Sequence, residues 1–216
     1  MRIISGTWRG RTVKTPEGDA TRPTYDRVRE AVSSIIFSDR GTYEDMSILD
    51  AFAGSGALSF ELLSRDAAHA TLLDNNQVAI NCIKENIRTL GVSQQRIVVL
   101  KADAFTVAKR SNVAGSPFDV VLLDPPYATS EEDVCRLLCD LEASQLLEDG
   151  ALIVYEHEGI RRKKVQQKAL SGLESQHYRH LAQHVYGKTL IDTFRWTAVP
   201  EPQQEDESQQ EDITNE

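Results

Sequence analysis

Residues 47–57 read SILDAFAGSGA, a short apolar run that ends at Asp50 and continues into a glycine turn. The run has the length of a buried strand, and the small residues after it let the backbone pass close beneath a ligand and present amide donors. A helical pattern with an apolar face follows from about Ala57 to Arg65. A strand, a glycine turn and a helix in this order predict the first unit of a parallel α/β sheet.

The same alternation of β-rich runs and helical patterns continues to Glu158, which indicates a mostly parallel sheet. Further strands are predicted at 69–74, 96–104, 118–127 and 151–158, and further helices at 75–91 and about 130–141. Two last β-like runs, at about 175–186 and 189–198, predict an antiparallel hairpin. We therefore expect an α/β fold with a Rossmann-like, mostly parallel seven-stranded sheet and an antiparallel C-terminal hairpin.

The chain of 216 residues is long enough for one α/β domain with a short appendage. We expect a basic N-terminal extension at 1–40, with a small hairpin (Arg2 to Val13) and a helix from about Tyr25 to Phe37, or else a lid on the domain. The main domain is expected at 41–199. The segment 200–216 has no apolar periodicity, and we expect an acidic, disordered tail there.

The sequence shows no targeting or metal-binding signal. No stretch of about 18 apolar residues occurs, and the basic N-terminus is not followed by an apolar run, so neither a membrane span nor a secretory signal is expected. Cys82, Cys135 and Cys139 are too few and wrongly spaced for a zinc site or a disulfide framework. We expect a cytoplasmic monomer with no metal ion and no membrane partner.

The net charge of −9 separates along the chain into segments of opposite sign. Residues 1–40 carry +3 and residues 161–199 carry +6, whereas 41–160 carry −11 and 200–216 carry −7. Two basic segments that meet on one face would attract phosphate, while the acidic block holds carboxylates suited to a cofactor and a base. The charge pattern favours a nucleic-acid partner, with an ordinary solvated surface as the alternative.

Three aspartates lie where predicted strands end. Asp50 lies beside the glycine turn, Asp74 follows that turn by eighteen residues, and Asp103 ends the third strand. A carboxylate beside the turn suits the cationic, amino-bearing end of S-adenosylmethionine better than a pyrophosphate. Asp74 is placed to accept ribose hydroxyls, and Asp103 to meet the adenine. The predicted cofactor site contains Asp50, Phe52, Gly54, Gly56, Asp74, Asn75, Asp103 and Ala104.

The strongest local motif is Asp124-Pro125-Pro126-Tyr127, which follows a wholly apolar strand. A rigid turn alone needs neither the aspartate nor the aromatic ring. The Asp124 carboxylate and the Pro125 carbonyl can accept hydrogen bonds from both N–H groups of an exocyclic amine and turn its lone pair toward a methyl donor. Tyr127 would stack on the unpaired base. We take these four residues as the catalytic set and leave out His157, because a histidine at a strand end is more often structural.

Several motifs together resemble one known family. They are RIISGTWRGR (2–11), RPTYDRVREA (22–31), LDAFAGSGAL (49–58), ELLSR (61–65), DPPY (124–127), EHE (156–158) and YGKTLI (186–191). Over about residues 1–198 the chain resembles the RsmD family of bacterial methyltransferases, which modify N2 of a guanine in 16S ribosomal RNA. The DPPY motif is shared with DNA amino-methyltransferases. The run 22–31 is therefore the motif that narrows the resemblance to the RsmD family.

The resemblance implies the class I S-adenosylmethionine-dependent methyltransferase fold and the cofactor and target-amine roles given above. It adds Arg22, Thr24 and Arg27, which would lie beside the methionine end of the cofactor or the RNA. Ser59 and Asp66 stand where the family more often has glycine, which leaves the local packing open. The implied partner is 16S rRNA, within the small ribosomal subunit or an assembly intermediate of it.

Candidate RNA contacts come from the two basic segments, because neutralised phosphates dominate such affinity. They are Arg2, Arg9, Arg11 and Lys14 near the N-terminus and Arg161, Arg162, Lys163 and Lys164 after the fifth strand, with Trp8 as a stacking residue.

Three other functions compete with this interpretation. A DNA adenine or cytosine amino-methyltransferase would share the cofactor and DPPY arguments, but the chain has little room for a sequence-reading segment. A non-catalytic RNA-binding assembly factor with the same fold has no physical need for Asp124 or Tyr127. An NAD-dependent oxidoreductase is disfavoured because Ser59 stands where dinucleotide enzymes place a third glycine.

Overall fold

The computed structural model describes residues 1–16, 23–126, 128–158, 170, 173 and 177–199, with the backbone alone at 23–25. The predictions for Arg22, for Tyr127, for the basic run 161–164 and for the acidic tail 200–216 lie outside the described residues. The prediction for the Thr24 side chain lies outside them as well.

Each run predicted as a strand is a strand in the structure. Their bounds are β1 Ser47–Asp50, β2 His69–Asp74, β3 Ile97–Lys101, β4 Phe118–Leu123, β5 Leu147–Glu158, β6 Tyr178–Tyr186 and β7 Thr189–Trp196. Two strands differ from their predicted bounds by four residues at one end. Strand β4 stops at Leu123, because the two prolines after Asp124 cannot donate to a ladder, and β5 begins at Leu147 instead of 151.

The strands of the described residues form one sheet with the order β3-β2-β1-β4-β5-β7-β6. The first five strands in this order pair in parallel, and β7 pairs antiparallel with both β5 and β6. The expected mostly parallel sheet with an antiparallel hairpin is therefore confirmed. Chain order reverses on either side of β1, which has β2 and β4 as neighbours, and open α/β sheets bind ligands at such a point.

The helices are α1 Pro23–Arg40, α2 Ala57–Ser64, α3 Gln77–Leu90, α4 Ala104–Val107 and α5 Glu131–Ala143. Helix α3 has the predicted ends, since the Asn76 side chain accepts a bond from the Val78 amide and Gly91 is left-handed with φ of 69°. Helix α1 extends beyond both predicted ends, because a proline is tolerated in a first turn and Gly41 provides the stop signal. The short α4 was not predicted.

Two apolar clusters cover the faces of the sheet. One contains side chains of α1, α2 and α3, and the other contains side chains of α4, α5 and the C-terminal hairpin. Alternate residues of β4 serve the two sides, with Val120 in the first cluster and Val121 in the second. None of the described helices is long and apolar enough to cross a membrane.

Residues 1–16 contain the expected hairpin, in which Arg2 bridges Thr12 and the Val13 amide bonds to the Met1 carbonyl at 2.9 Å. Ile3 and Val13 are buried in the same cluster as α1 and the sheet. The hairpin therefore packs on the main domain and shares its core.

Helix α2 holds the hairpin through a buried carboxylate. The two oxygens of Glu61 accept hydrogen bonds from the amides of Ile4 and Ser5, at 2.7 and 3.0 Å. The Ser64 hydroxyl accepts a bond from the Trp8 amide and donates one to the Ser5 carbonyl. A buried carboxylate is stable here because backbone amides and Arg65 satisfy it.

Asn86 of α3 joins the end of the hairpin segment to the glycine turn. Its Oδ1 accepts a bond from the Lys14 amide at 2.8 Å. Its Nδ2 donates to the carbonyls of Lys14 and Ser55, at 3.0 and 3.1 Å. One buried amide thus fixes three parts of the molecule.

We expect Asn86→Asp to destabilise the protein by about 3 kcal/mol near neutral pH, because the new carboxylate would face two carbonyl oxygens without a donor. Urea unfolding measures the change, and lowering the pH should reduce it, since a protonated carboxyl can donate again. The matched control is Asn81→Asp on the exposed side of the same helix, which should change the free energy of unfolding little. Equal effects at the two positions would contradict the role given to Asn86.

Candidate functional site

The carboxyl edge of the sheet brings the predicted acids together. Asp50 and Asp74 are the last residues of β1 and β2, Asp124 directly follows β4, and Asp103 follows β3 by two residues. A cavity of about 240 Å³ opens at this edge. Its lining includes Asp50, Phe52, Gly54, Ser55 and Asp124 from the sheet side, and Met1, Thr15, Val28, Arg29 and Val32 from the N-terminal side.

Asp50 is buried, and the Ser59 hydroxyl donates a 2.6 Å hydrogen bond to its Oδ2. Burial raises the pKa of Asp50 to about 7, and the charges of Asp124 and Asp74 add to the rise. The bonds from Ser59 and the Phe52 amide oppose that rise. Ser59, which stands at the third-glycine position, thus serves the carboxylate directly. None of the described basic side chains forms an ion pair with Asp50, so its ionised form is not neutralised by them.

The glycine turn is held from below by Asp74. Its Oδ2 accepts the Gly54 amide at 2.9 Å, and its Oδ1 accepts the Asn76 amide at 2.7 Å. A Cβ added to Gly54 would meet nothing within 4 Å, whereas one added to Gly56 would lie 2.8 Å from the Leu72 side chain. The turn is therefore open toward the cavity at Gly54 and packed against the core at Gly56.

The third strand end is arranged differently. Asp103 precedes α4, and its Oδ2 accepts a bond from the Thr106 hydroxyl at 3.0 Å. Ala104 is buried, while the rings of Phe52 and Phe105 lie edge to face with centroids 6.2 Å apart. Asn75 is exposed beside Asp74. These groups lie at the same edge, outside the lining of the cavity except for Phe52.

The loop after β4 presents the exposed Asp124, followed by a half-buried Pro125 and an exposed Pro126. Asp124 and Glu156 both line the cavity. Burial raises the pKa of Glu156 to about 8, and the charge of Asp124 adds to that rise. Because the two carboxyls disfavour ionising together, a cation or a hydrogen-bond donor placed beside them would lower the pKa of Glu156.

His157 does not join this site. Its Nε2 lies 2.8 Å from Oδ2 of the fully buried Asp192, whose Oδ1 lies 2.7 Å from His180 Nε2. Gln183 also donates to this carboxylate. Although burial alone would raise it, these hydrogen bonds hold the pKa of Asp192 below its ordinary value. The cluster fastens β5 and β6 to β7, which agrees with the structural role expected of His157.

The hairpin changes the set of candidate RNA contacts. Trp8 is 7% exposed and packs in the core, so the expectation that its ring stacks on a base is wrong for this conformation. Arg11 donates to the carbonyls of Thr89 and Leu90 at the end of α3, and Lys14 pairs with Glu85. Arg2 and Arg9 are exposed, and neither forms an ion pair with another described residue.

Sequence reasoning missed Glu156, Arg29 and Phe105 as parts of this edge. Glu156 was quoted only as part of a motif, although its position on β5 two residues from the strand end could have indicated it. Nothing in the pattern of α1 shows that Arg29 faces a cavity, because that depends on how the helix packs. No group of three or more metal-ligating side chains occurs among the residues described.

The sheet order and the acid-bearing strand ends define the fold of class I S-adenosylmethionine-dependent methyltransferases. Magnesium protoporphyrin IX methyltransferase (ChlM) of Synechocystis PCC 6803, solved with bound S-adenosylmethionine, shares this fold. Its TM-score is 0.63 at 13% identity, over 83% of this chain and 87% of that chain. The Escherichia coli protein yhhF is more similar, with a TM-score of 0.72 and 28% identity over 92% and 99% of the two chains.

A family model described as "Conserved hypothetical protein 95" matches residues 1–189. Ribosomal RNA small subunit methyltransferase D of Escherichia coli is 38% identical over 159 residues, covering 73% of this chain and 75% of that protein. The protein of the same name from Haemophilus influenzae is 36% identical over 160 residues, covering 73% and 79%. The chain belongs to this family, the RsmD family, as the sequence resemblance implied.

We expect Asp50→Asn to stabilise the protein increasingly as the pH rises. The folded pKa of Asp50, about 7, lies above its unfolded value, so the wild-type protein loses stability as the pH rises toward 7. Asparagine keeps an acceptor for Ser59 and removes this loss. The gain in unfolding free energy over wild type should grow by roughly 2 kcal/mol between about pH 5.5 and pH 8.

Chemical denaturation at the two pH values measures this difference. Asp66→Asn, at an exposed position, serves as the control and should show no growth with pH. A gain for Asp50→Asn that is the same at both pH values would contradict the raised pKa.

Proposed function

We propose that this protein transfers the methyl group of S-adenosylmethionine to the exocyclic N2 of a guanine in 16S ribosomal RNA. The observation that carries the proposal is the position of Asp124, which lines the same cavity as Asp50 and the glycine turn. A methyl donor above the turn and an amine at Asp124 would therefore meet within one cavity.

The charge of the cavity favours a cationic donor. Burial raises the pKa values of Asp50 and Glu156, and the charge of Asp124 adds to both rises. S-adenosylmethionine supplies a sulfonium and an ammonium group, which would lower the cost of ionising these carboxyls. The exposed side of Gly54 leaves room for the ligand, and Asp74 retains lone pairs for ribose hydroxyls.

The residues after β4 supply what the amine needs. A guanine N2 is a weak nucleophile, since its lone pair is delocalised into the ring. The Asp124 carboxylate and the Pro125 carbonyl accept hydrogen bonds from its two N–H groups and turn the nitrogen lone pair toward the methyl carbon. Methyl transfer would form a nitrogen–carbon bond and break the carbon–sulfur bond, with S-adenosylhomocysteine as the leaving group. The nitrogen would give up one proton, to Asp124 or to water. Tyr127 is the stacking residue in this proposal.

The RNA assignment is supported by the relatives named for ribosomal RNA of the small subunit. The exposed arginines Arg2 and Arg9 of the hairpin, together with the basic run 161–164, are the proposed phosphate contacts. Such contacts would make binding steeply salt-dependent. The substrate would be met in the cytoplasm, as naked rRNA or within an assembling small subunit, by a single copy of the chain.

Methylation of RNA tests the proposal directly. Purified protein with labelled S-adenosylmethionine is expected to label N2 of one guanine in small-subunit rRNA, or in subparticles, from cells that lack the enzyme. Nucleoside analysis of the product identifies the modified atom. Label on adenine, or on DNA, would overturn the substrate assignment in favour of an amino-methyltransferase of DNA. Binding of RNA without label would favour an assembly factor.

Asp124→Asn should separate binding from turnover. Because Asp124 is exposed and meets the amine, its loss should leave affinity for S-adenosylhomocysteine nearly unchanged while kcat falls roughly 100- to 1000-fold. Calorimetry measures the first quantity and methyl transfer the second. Glu132→Gln, an exposed acid at the start of α5, is the matched control and should alter neither. Full activity of Asp124→Asn would sink the mechanism.

A further inference from the structure

Arg29 of α1 has an unusual environment for an arginine. Its side chain is 7% exposed, and it lines the cavity beside the glycine turn. Nη2 donates to the Arg2 carbonyl and to Asp26 Oδ1, both at 2.8 Å. Nε and Nη1 are buried and have no hydrogen-bond partner among the residues that the structure describes. Buried polar groups are almost always satisfied, so two unsatisfied donors on one guanidinium point to a missing acceptor.

Asp50 lines the same cavity and is a buried carboxylate with Ser59 and the Phe52 amide as its donors. Within the part of the chain that the structure describes, it forms no ion pair with a basic side chain. Arg29 and Asp50 form no ion pair with each other, although both side chains are described and both line the cavity. Asp50 is therefore suited to bind a cationic group of a ligand, and Arg29 is suited to bind an anionic one. The α-amino acid group of a ligand carries both charges, on atoms only a few ångströms apart.

We infer that Arg29 binds the carboxylate of the cofactor's methionine end, while the ammonium group lies toward Asp50. This inference rests on the proposed use of S-adenosylmethionine. Nη1 is a charged donor that can give a carboxylate oxygen one charge-assisted hydrogen bond, and a carboxylate is the acceptor with which a guanidinium pairs most strongly. Solvent does not reach Nε and Nη1 in this conformation, so the guanidinium turns, or the flexible Met1 side chain moves, when the ligand enters.

The contacts of Nη2 give Arg29 a second role, in addition to binding the carboxylate of the ligand. Because the Arg2 carbonyl belongs to the hairpin, the guanidinium connects that hairpin to the cavity wall. A carboxylate held on the remaining donors would tie the hairpin, α1 and the ligand to one side chain. Arg29 is thus a binding residue that also positions the segment carrying Arg2 and Arg9.

The test compares two ligands that differ only in the carboxylate, S-adenosylhomocysteine and its decarboxylated analogue. Wild-type protein should prefer the first by roughly 10- to 100-fold, the range expected for a buried, charge-assisted pair. Arg29→Gln should reduce that preference to about threefold or less, and Arg29→Lys should keep part of it. Because the ratio is taken within one variant, a general loss of affinity cancels.

Asp26→Asn is the matched control. It removes the exposed partner of Arg29 and leaves the guanidinium in place, so the ligand preference should stay at the wild-type value. A preference that persists in Arg29→Gln overturns the inference. So does a loss of RNA affinity in Arg29→Gln with the ligand ratio unchanged, because the anion would then be a phosphate of the substrate.

Two measurements on wild-type protein need no variant. Equal affinity for the two ligands would overturn the inference even if Arg29→Gln failed to fold. The ¹⁵N signal of Arg29 Nε should shift with S-adenosylhomocysteine and not with the decarboxylated analogue. Absence of any binding of S-adenosylhomocysteine would overturn the proposed function together with this inference, whereas binding without a carboxylate preference overturns the inference alone.

Discussion

The position of the glycine turn depends on two hydrogen bonds that come from other elements. The amide of Gly54 donates to Asp74 at the end of β2, and the carbonyl of Ser55 accepts from Asn86 on α3. The turn thus cannot move unless both a neighbouring strand and a packed helix move with it. A site that relies on preorganised groups benefits from such support, since geometry fixed during folding costs nothing when a ligand enters.

The same edge of the sheet carries a cost in stability that the rest of the molecule has to offset. Asp50, Glu156 and Arg29 are all largely removed from water, and the first two have pKa values raised by burial. Isolated buried charges lower the free energy of unfolding, so they persist only where a well-packed fold supplies enough stability to offset that loss. Here two apolar clusters on opposite faces of one sheet supply it. Asp50, Glu156 and Arg29 all line one cavity, which is where a functional demand would explain them.

The sequence predicted the elements well where the signal was local. Asn76 and Gly91 marked the ends of α3, and the acids at the ends of β1 and β2 marked the ligand edge, because these signals depend on spacing along the chain. Trp8 was misjudged, since a ring on a basic hairpin looks exposed until the hairpin is seen to pack on α2. Arg29 was missed for the same physical reason. The direction in which a helix side chain points depends on how the helix packs, and the local sequence does not show this.

The N-terminal hairpin has an outward and an inward side, and one hydrogen bond connects its backbone to the wall of the cavity. Its outward side carries Arg2 and Arg9, while its inward side places Met1 and Ile3 against the cavity and the core. The carbonyl of Arg2 accepts a hydrogen bond from the guanidinium of Arg29, which lines the cavity. Occupation of the cavity would therefore restrain the segment that carries the proposed phosphate contacts, and RNA bound to that segment would restrain the cavity wall. Because linkage is reciprocal, any free energy that one ligand gains from this ordering is gained equally by the other.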